Sequence, residues 1–378
     1  SSFGIWFFFL LVKRYFKNEV AFYASFVLLS SIWFQFSRKI MPDTFSMSLV
    51  IMALYFGSNY LSKTKEKAYV HLLFSFLLLM LGTLSKLPSG YILACVPLLL
   101  AQPAALRKKI VFSVVTVLGF IPCLVWYFYW VPYLVETYDF WHFFMGKSIS
   151  QGWSEVVNDI PQAMSRFYEI AIKVLGFLVF CFGLGYAVFK KEKNVTLTFI
   201  LAFASFLVIM IKAGDTFLHH DYYIIPFVPV MALIAGYGLH QVASRHQVWG
   251  IILLSGIMLE GVINQYQDFI VKPEYGSIEN LANDLDKVSD KADLIVINSG
   301  QYPTPMYFAN RKGWIATNDQ LSSNLYIDSL TSLGLKKIVV LKVAFGEEIK
   351  LPEKALVFEN DSYLIYDVLP SYLSLIHI

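Results

Sequence analysis

The chain is short of charge. Lys, Arg, Asp and Glu supply 15% of its 378 residues, where a soluble domain carries about 25%. Apolar residues fill the deficit, at 57% of the total, and they gather into long runs. That pattern excludes an ordinary soluble domain and defines a membrane chain. The net charge is only +3, so no nucleic-acid partner is expected. Cysteine is scarce as well. Cys95, Cys123 and Cys181 each lie inside an apolar run and read as small packing residues. Their spacing suits neither a disulfide framework nor a metal site. The sequence also lacks a Gly-rich phosphate loop, a nucleophile motif, internal repeats and low-complexity tracts. The sequence points to no certain cofactor, and a divalent metal is possible but unsupported by ligand spacing.

The N-terminus lacks an initiator Met, a charged n-region and a cleavage pattern. Its first apolar run ends at Lys13, short of the roughly 20 residues a span needs. The sequence therefore predicts a start that lies upstream. The final residues, Ser374 to Ile378, do not continue the segment before them and read as a foreign tail, outside the fold.

What is present is a series of apolar runs at 1–12, 20–36, 44–61, 69–85, 87–106, 110–131, 168–189, 195–211, 222–239 and 248–269. Unpaired backbone is not tolerated in lipid, so runs of this length predict helices. The expected fold class is a polytopic α-helical membrane protein with about ten spans over residues 1–270, followed by a small soluble α/β domain over 271–373. Every second loop is basic: Lys13, Arg14 and Lys17; Lys63, Lys65 and Lys67; Arg107, Lys108 and Lys109; Lys190, Lys191 and Lys193; and Arg245. The positive-inside rule puts these on the cytoplasmic side. A multi-pass protein of the cytoplasmic membrane follows, with its last domain outside. In that domain 292–298 and 337–341 read as strands, 305–310 as a short helix, and 355–358 with 363–368 as a hairpin turning at Asn360-Asp361.

The unusual polar residues collect on the other side. Arg38, Lys39 and Asp43 lie within six residues, with Pro42 opening the next helix and Asp43 in its first turn. A capping Asp with interfacial anchors explains them equally well. Lys86, between two apolar runs, either snorkels or holds a phosphate as a point charge. The stretch from Asp215 to Tyr223 gathers Asp215, His219, His220, Asp221, Tyr222 and Tyr223 at one helix entrance, suited to acid–base work, a phosphate or, least of the three, a metal, or to interfacial anchoring by the tyrosines. The loop 132–167 carries Tyr138, Asp139, Phe140, Trp141, His142, Trp153 and Glu155, and predicts a helix lying in the interface. Charges at one membrane face favour a site at the boundary over a transport path, which places charge near the midplane.

Four segments together carry a resemblance: Ser37-Arg38-Lys39-Ile40-Met41-Pro42-Asp43-Thr44-Phe45, Leu84-Ser85-Lys86, His220-Asp221-Tyr222-Tyr223-Ile224-Ile225-Pro226-Phe227-Val228-Pro229, and Pro305 to Trp314. In their order along the chain they resemble the C-type glycosyltransferase superfamily, closest to the bacterial relatives of protein O-mannosyltransferases and of lipid A aminoarabinose transferase. The resemblance implies an inverting transfer of a sugar from a polyprenyl-phosphate carrier to a lipid, glycan or protein acceptor on the outer face of the membrane. It implies that Asp43 orients acceptor or sugar, that Arg38, Lys39, Lys86, His219 and His220 serve the carrier phosphate, and that Tyr222 and Tyr223 line the lipid groove. It puts the main catalytic acid ahead of residue 1, so the chain as written is expected to be inactive. A transporter or lipid flippase is one rival, predicting pseudo-symmetric halves. A polysaccharide polymerase or ligase is another, predicting neither the Pro42-Asp43 turn nor the last domain. A non-enzymatic scaffold is the bland alternative.

Overall fold

The computed structural model describes residues 2–62, 67–139 and 146–368. Lys63, Lys65, Phe140, Trp141, His142 and the tail from Ser374, all named above, lie outside the described residues, as does the Lys67 side chain. The chain forms two compact units, Ser1–Gln267 and Asp268–Ile378.

The first unit is helical. Its helices are α1 (Ser2–Tyr15), α2 (Asn18–Ser30), α3 (Ile32–Ser37), α4 (Pro42–Ser62) and α5 (Lys67–Ser85), then a 3-10 segment Leu87–Cys95 running into α6 (Val96–Leu100). There follow α7 (Leu106–Val125), a π-helical turn Trp126–Trp130, α8 (Val131–Tyr138), α9 (Ile149–Asn158), α10 (Ile160–Ser165) and a second π-helical turn Arg166–Ala171. The unit closes with α11 (Lys173–Phe189), α12 (Lys193–Ala213), α13 (Asp215–His219), a 3-10 segment Asp221–Phe227, α14 (Val228–Ala243) and α15 (Gln247–Gln265).

The ten apolar runs are helical over most of their length, but the described residues do not form the expected ten spans. Among the described residues six helices are long and apolar enough to cross a membrane, or seven if the pair Ile160–Ala171 and Lys173–Phe189, bent by 100°, forms one span. The reasons are local. With 14 residues, α1 is about 21 Å long at 1.5 Å per residue. The second run breaks at Ser31 between α2 and α3. The run from 87 is 3-10 as far as Cys95, beside Pro88 and Pro97. The sixth run, in contrast, continues unbroken through the start of the predicted outer loop, as a helix Leu106–Tyr138 of 33 residues.

The breaks are repaired by a local cap and by side chains from other helices, as a medium without water requires. Ser31 caps α3 by accepting from the Trp33 N–H at 3.1 Å. The freed carbonyls of Ser30 and Ser31 accept from Gln265 Nε2 on α15, at 3.1 and 3.3 Å. The bend before α11 is closed by Glu260, whose carboxylate accepts from the N–H groups of Val174 and Leu175 at 3.1 and 2.9 Å. A carboxylate at a helix N-terminus also suits the dipole.

Burial separates central from peripheral helices. In the most apolar 18-residue stretch of Asp221–Ala243, 89% of the residues are buried, against 17% in those of Leu106–Tyr138 and Gln247–Gln265, which turn apolar side chains outward. Small residues let α14 sit in the centre. At Gly236 an added Cβ would stand 2.4 Å from the Ala24 backbone nitrogen of α2, the close helix approach usual in membranes.

Basic loops converge at one end of the bundle. Arg14 bonds Asn59 and Ser62, Lys108 Nζ donates to the Tyr60 carbonyl at 3.2 Å, and Tyr15 meets Ser58 at 2.7 Å. Arg245 reaches Tyr186 at 3.1 Å.

The second unit contains α16 (Pro273–Gly276), α17 (Leu281–Val288), β1 (Leu294–Ile297), α18 (Thr304–Ala309), β2 (Lys312–Ile315), α19 (Asn318–Leu321), α20 (Asn324–Ser332), β3 (Leu335–Leu341), β4 (Ala355–Glu359) and β5 (Tyr363–Asp367). The sheet order is β2-β1-β3-β5-β4, with β2, β1 and β3 parallel and β5 antiparallel to both neighbours. Alternation sorts its side chains. Ile295, Ile297, Val339 and Ile365 face α17, while Val296, Ile338, Val340 and Leu364 face α20. Buried on both faces, these strands read as near-continuous apolar runs, which is why sequence alone located them.

Candidate functional site

Two turns meet at the end of the bundle away from the basic loops. Asp43 stands in the first turn of α4 with its side chain fully buried, and it forms an ion pair with Lys86. Lys86 precedes the 3-10 segment Leu87–Cys95 in extended conformation. Ser46, one turn along α4, fixes that turn. Its hydroxyl lies 2.7 Å from the Gly82 carbonyl, 3.2 Å from the Lys86 carbonyl and 2.7 Å from Ser89 Oγ. Lys86 is therefore held at both ends, its backbone carbonyl by Ser46 and its ammonium by the Asp43 carboxylate.

Lys86 then extends over aromatic rings. Its Nζ lies 4.5 Å from the centre of Tyr222 and 5.4 Å from that of Tyr223. The two tyrosines stack at 4.9 Å, and the His220 ring stacks on Tyr222 at 5.3 Å. An ammonium over a tyrosine face is attracted by the ring quadrupole. The tyrosines open the 3-10 segment Asp221–Phe227, which Tyr91 ties to the other 3-10 segment by donating to the Pro226 carbonyl at 2.9 Å.

A cavity of 560 Å³ opens beside this cluster, lined among others by Lys86, Tyr91, Phe120, Tyr127, Lys212 and Tyr223. Its walls are apolar and aromatic, with Lys86 and Lys212 the only charged lining groups among the described residues. Asp43 is not among the lining residues. Its Oδ1 faces Lys86, and its Oδ2 is buried with no hydrogen-bond partner among the described residues.

The remaining predicted residues sit at the margin. Arg38 and Lys39 are exposed in the turn before α4, the guanidinium 5.5 Å from the Phe34 ring and the ammonium 4.4 Å from the Phe36 ring. Phe36 in turn meets Tyr222 at 6.3 Å, so Lys39 borders the cluster through one aromatic. His219 turns to its own helix, with Nδ1 3.3 Å from Asp215 Oδ1 and 3.0 Å from the Asp215 carbonyl. Among the described residues no group of three or more His, Cys, Asp or Glu could hold a metal ion.

Sequence reasoning overlooked Arg166. It is buried, pairs with Asp221 and donates to the Leu218 carbonyl. A lone Arg ahead of an apolar run carries no signal that distinguishes it from an interfacial anchor. A second network clamps α9 to the end of α12. Glu155 Oε2 accepts from Lys147 and from the Asp215 N–H at 2.5 and 2.7 Å. The Lys147 bond, followed by the Asp215 N–H, holds the Glu155 carboxyl below the usual carboxylate range.

The sequence model of the family described as dolichyl-phosphate-mannose-protein mannosyltransferase matches residues 1–129. No curated protein matches the chain by sequence. Among solved structures, the crystal structure of ArnT from Cupriavidus metallidurans bound to undecaprenyl phosphate is similar, with a TM-score of 0.57 at 12% identity, over 98% of this chain and 82% of that one. The same protein in the apo state gives 0.53 at 11%, over 97% and 81%. The chain thus shares its fold with that structure and resembles the mannosyltransferase family over residues 1–129, and its long apolar helices are those of a multi-pass membrane protein.

Proposed function

We propose that the protein transfers a sugar from a polyprenyl-phosphate carrier to an acceptor at the outer face of the cytoplasmic membrane. The observation that carries this reading is the Lys86 ammonium, held by Asp43 and laid over Tyr222 and Tyr223 at the mouth of a largely apolar cavity. The match to a dolichyl-phosphate-mannose family over residues 1–129 supports it, as does the likeness to a structure that binds undecaprenyl phosphate. The basic loops at the opposite end support a cytoplasmic side there, and with it a site at the outer face and an extracytoplasmic position for residues 271–373.

The chemistry is a displacement at the anomeric carbon. An acceptor oxygen bonds that carbon, the bond to the phosphate oxygen breaks, and the electron pair leaves with the phosphate. The acceptor's proton passes to a carboxylate acting as general base. A phosphate leaves without protonation, so cations aimed at it lower the barrier. Asp43 is enclosed behind Lys86 and acts as a positioning residue for it. Tyr222 and Tyr223 offer flat faces to a sugar ring or an isoprene unit, and Arg38, Lys39 and His220 stand at the entrance.

The test uses the intact protein in vesicles with radiolabelled polyprenyl-phosphate sugars. Release of free polyprenyl phosphate together with labelled acceptor supports the reading. Movement of intact lipid across the bilayer, with no sugar released from any donor, would support the flippase rival and sink the transferase.

A further inference from the structure

The cavity beside Lys86 has a second cation, and no carboxylate among the described residues pairs with it. Lys86 is neutralised by Asp43. Lys147, on the neighbouring segment, is neutralised by Glu155. Lys212 lies in the last turn of α12, lines the cavity and donates to the Lys147 carbonyl at 2.5 Å. It forms no ion pair with a carboxylate among the described residues. A helix C-terminus favours a cation, which accounts for a lysine at this position. It does not account for one that lines a cavity walled by Phe120, Phe128, Val208 and Ile209.

We infer that Lys212, rather than Lys86, carries the charge that binds the donor phosphate. The inference rests on the transferase reading above and assigns the roles within it. Charge balance is the reason. With Lys86 and Asp43 cancelling, the cavity presents one net positive charge, that of Lys212. A polyprenyl-phosphate sugar is a phosphodiester with one negative charge. When its sugar–phosphate bond breaks, the electron pair goes to the phosphate oxygen and the product monoester carries about −1.5 to −2 at neutral pH. The ammonium that lacks a carboxylate gains most from that added charge, because desolvation in apolar surroundings strengthens the pair. Lys86 then positions the phosphate or sugar from the other side by a hydrogen bond.

The backbone is shaped to hold Lys212 there. Gly146 lines the same cavity with φ +86°, and a Cβ added to it would stand 2.8 Å from Lys212 Cε and 3.4 Å from Nζ. Lys212 and Lys147 also exchange backbone contacts, the Lys147 N–H donating to the Lys212 carbonyl at 2.9 Å. The lysine stem therefore lies against a backbone free of side chain, in a conformation that favours glycine.

Binding of a fluorescent polyprenyl phosphate and of the matching polyprenol to the intact protein in detergent tests the inference. Lys212→Met keeps the stem and removes the charge. It should weaken polyprenyl-phosphate binding by about tenfold or more, the weight of a charge-assisted hydrogen bond, with polyprenol binding unchanged. Lys212→Arg should hold affinity within about threefold. Gly146→Ala, which leaves every charge in place, should weaken phosphate binding by displacing the ammonium. Wild-type affinity for the phosphate in Lys212→Met overturns the inference, and so does equal loss of phosphate and polyprenol. A wild-type protein that binds no polyprenyl phosphate overturns the transferase reading itself, a different result from loss confined to the variant.

Discussion

Arg166 and Asp221, 55 residues apart, form an ion pair that joins the π-helical turn before α11 to the 3-10 segment carrying Tyr222 and Tyr223. The guanidinium is buried and also serves the Leu218 carbonyl, so one side chain fixes both the end of α13 and the start of the tyrosine segment. Arg166→Met should lower stability by about 1–3 kcal/mol, because the carboxylate, 41% exposed, regains water while the carbonyl does not. Arg166→Lys should recover only part of it, since an ammonium lacks the planar fork that spans both acceptors. Thermal unfolding in detergent measures the order wild type, lysine, methionine.

The Asp43–Lys86 pair gives a prediction in which stability and activity separate. Lys86→Met leaves a buried carboxylate unpaired, at a cost of about 3–5 kcal/mol. Adding Asp43→Asn removes that charge, so the double variant should be more stable than Lys86→Met alone. Transfer should stay depressed by about 100-fold or more in both. A double variant that regains turnover along with stability would remove Lys86 from the site.

Helix packing makes the third prediction. Gly236→Val forces α14 away from the Ala24 backbone and should cost at least about 1–3 kcal/mol, the range for overpacking. Gly185→Ala, with nothing within 4 Å of its would-be Cβ, should leave unfolding unchanged. Equal melting temperatures for the two variants would contradict the packing described here.

The pH dependence of the second unit rests on Asp284. Burial pushes its carboxyl up, but hydrogen bonds from Lys287 at 2.6 Å and Tyr363 at 2.6 Å, with the Lys287 charge, outweigh that and leave it below the ordinary value of 3.8. A carboxyl lowered in the folded state stabilises fully above its unfolded pKa, and the contribution fades as pH falls through the folded one. Hydrogen exchange in peptides of 278–366 should therefore quicken as pH drops below the carboxylate range, after correction for intrinsic rates. Asp284→Asn should flatten that acid limb, while peptides of α14 should not respond.

Legibility in the sequence followed the range of the interactions. The apolar helical runs and the strands β1, β3, β4 and β5 were legible because apolar patterning is local, whereas β2, with Lys312 and Gly313, was not. The number of complete spans was not, because Ser31, Pro88 and the bend before α11 break helices in ways that composition averages over. Asp43 and Lys86 were each visible as polar residues at helix ends, but each had an anchoring explanation as good as the functional one. Glu260 and Gln265 gave no signal, since the groups they satisfy belong to α11 and α2, far away in sequence.

Composition and charge alternation determined that this is a membrane chain, which end of it is basic, and which residue types gather at the other end. These follow from the solvent, since lipid excludes charge along every span and each loop carries its own count. The tertiary structure decided which charges cancel. It enclosed Asp43 behind Lys86, paired Arg166 with Asp221 and Lys147 with Glu155, and left Lys212 without a carboxylate partner among the described residues at a cavity wall. Coulombic pairing depends on distances of a few ångströms between residues tens of positions apart, and only the packed helices set those distances.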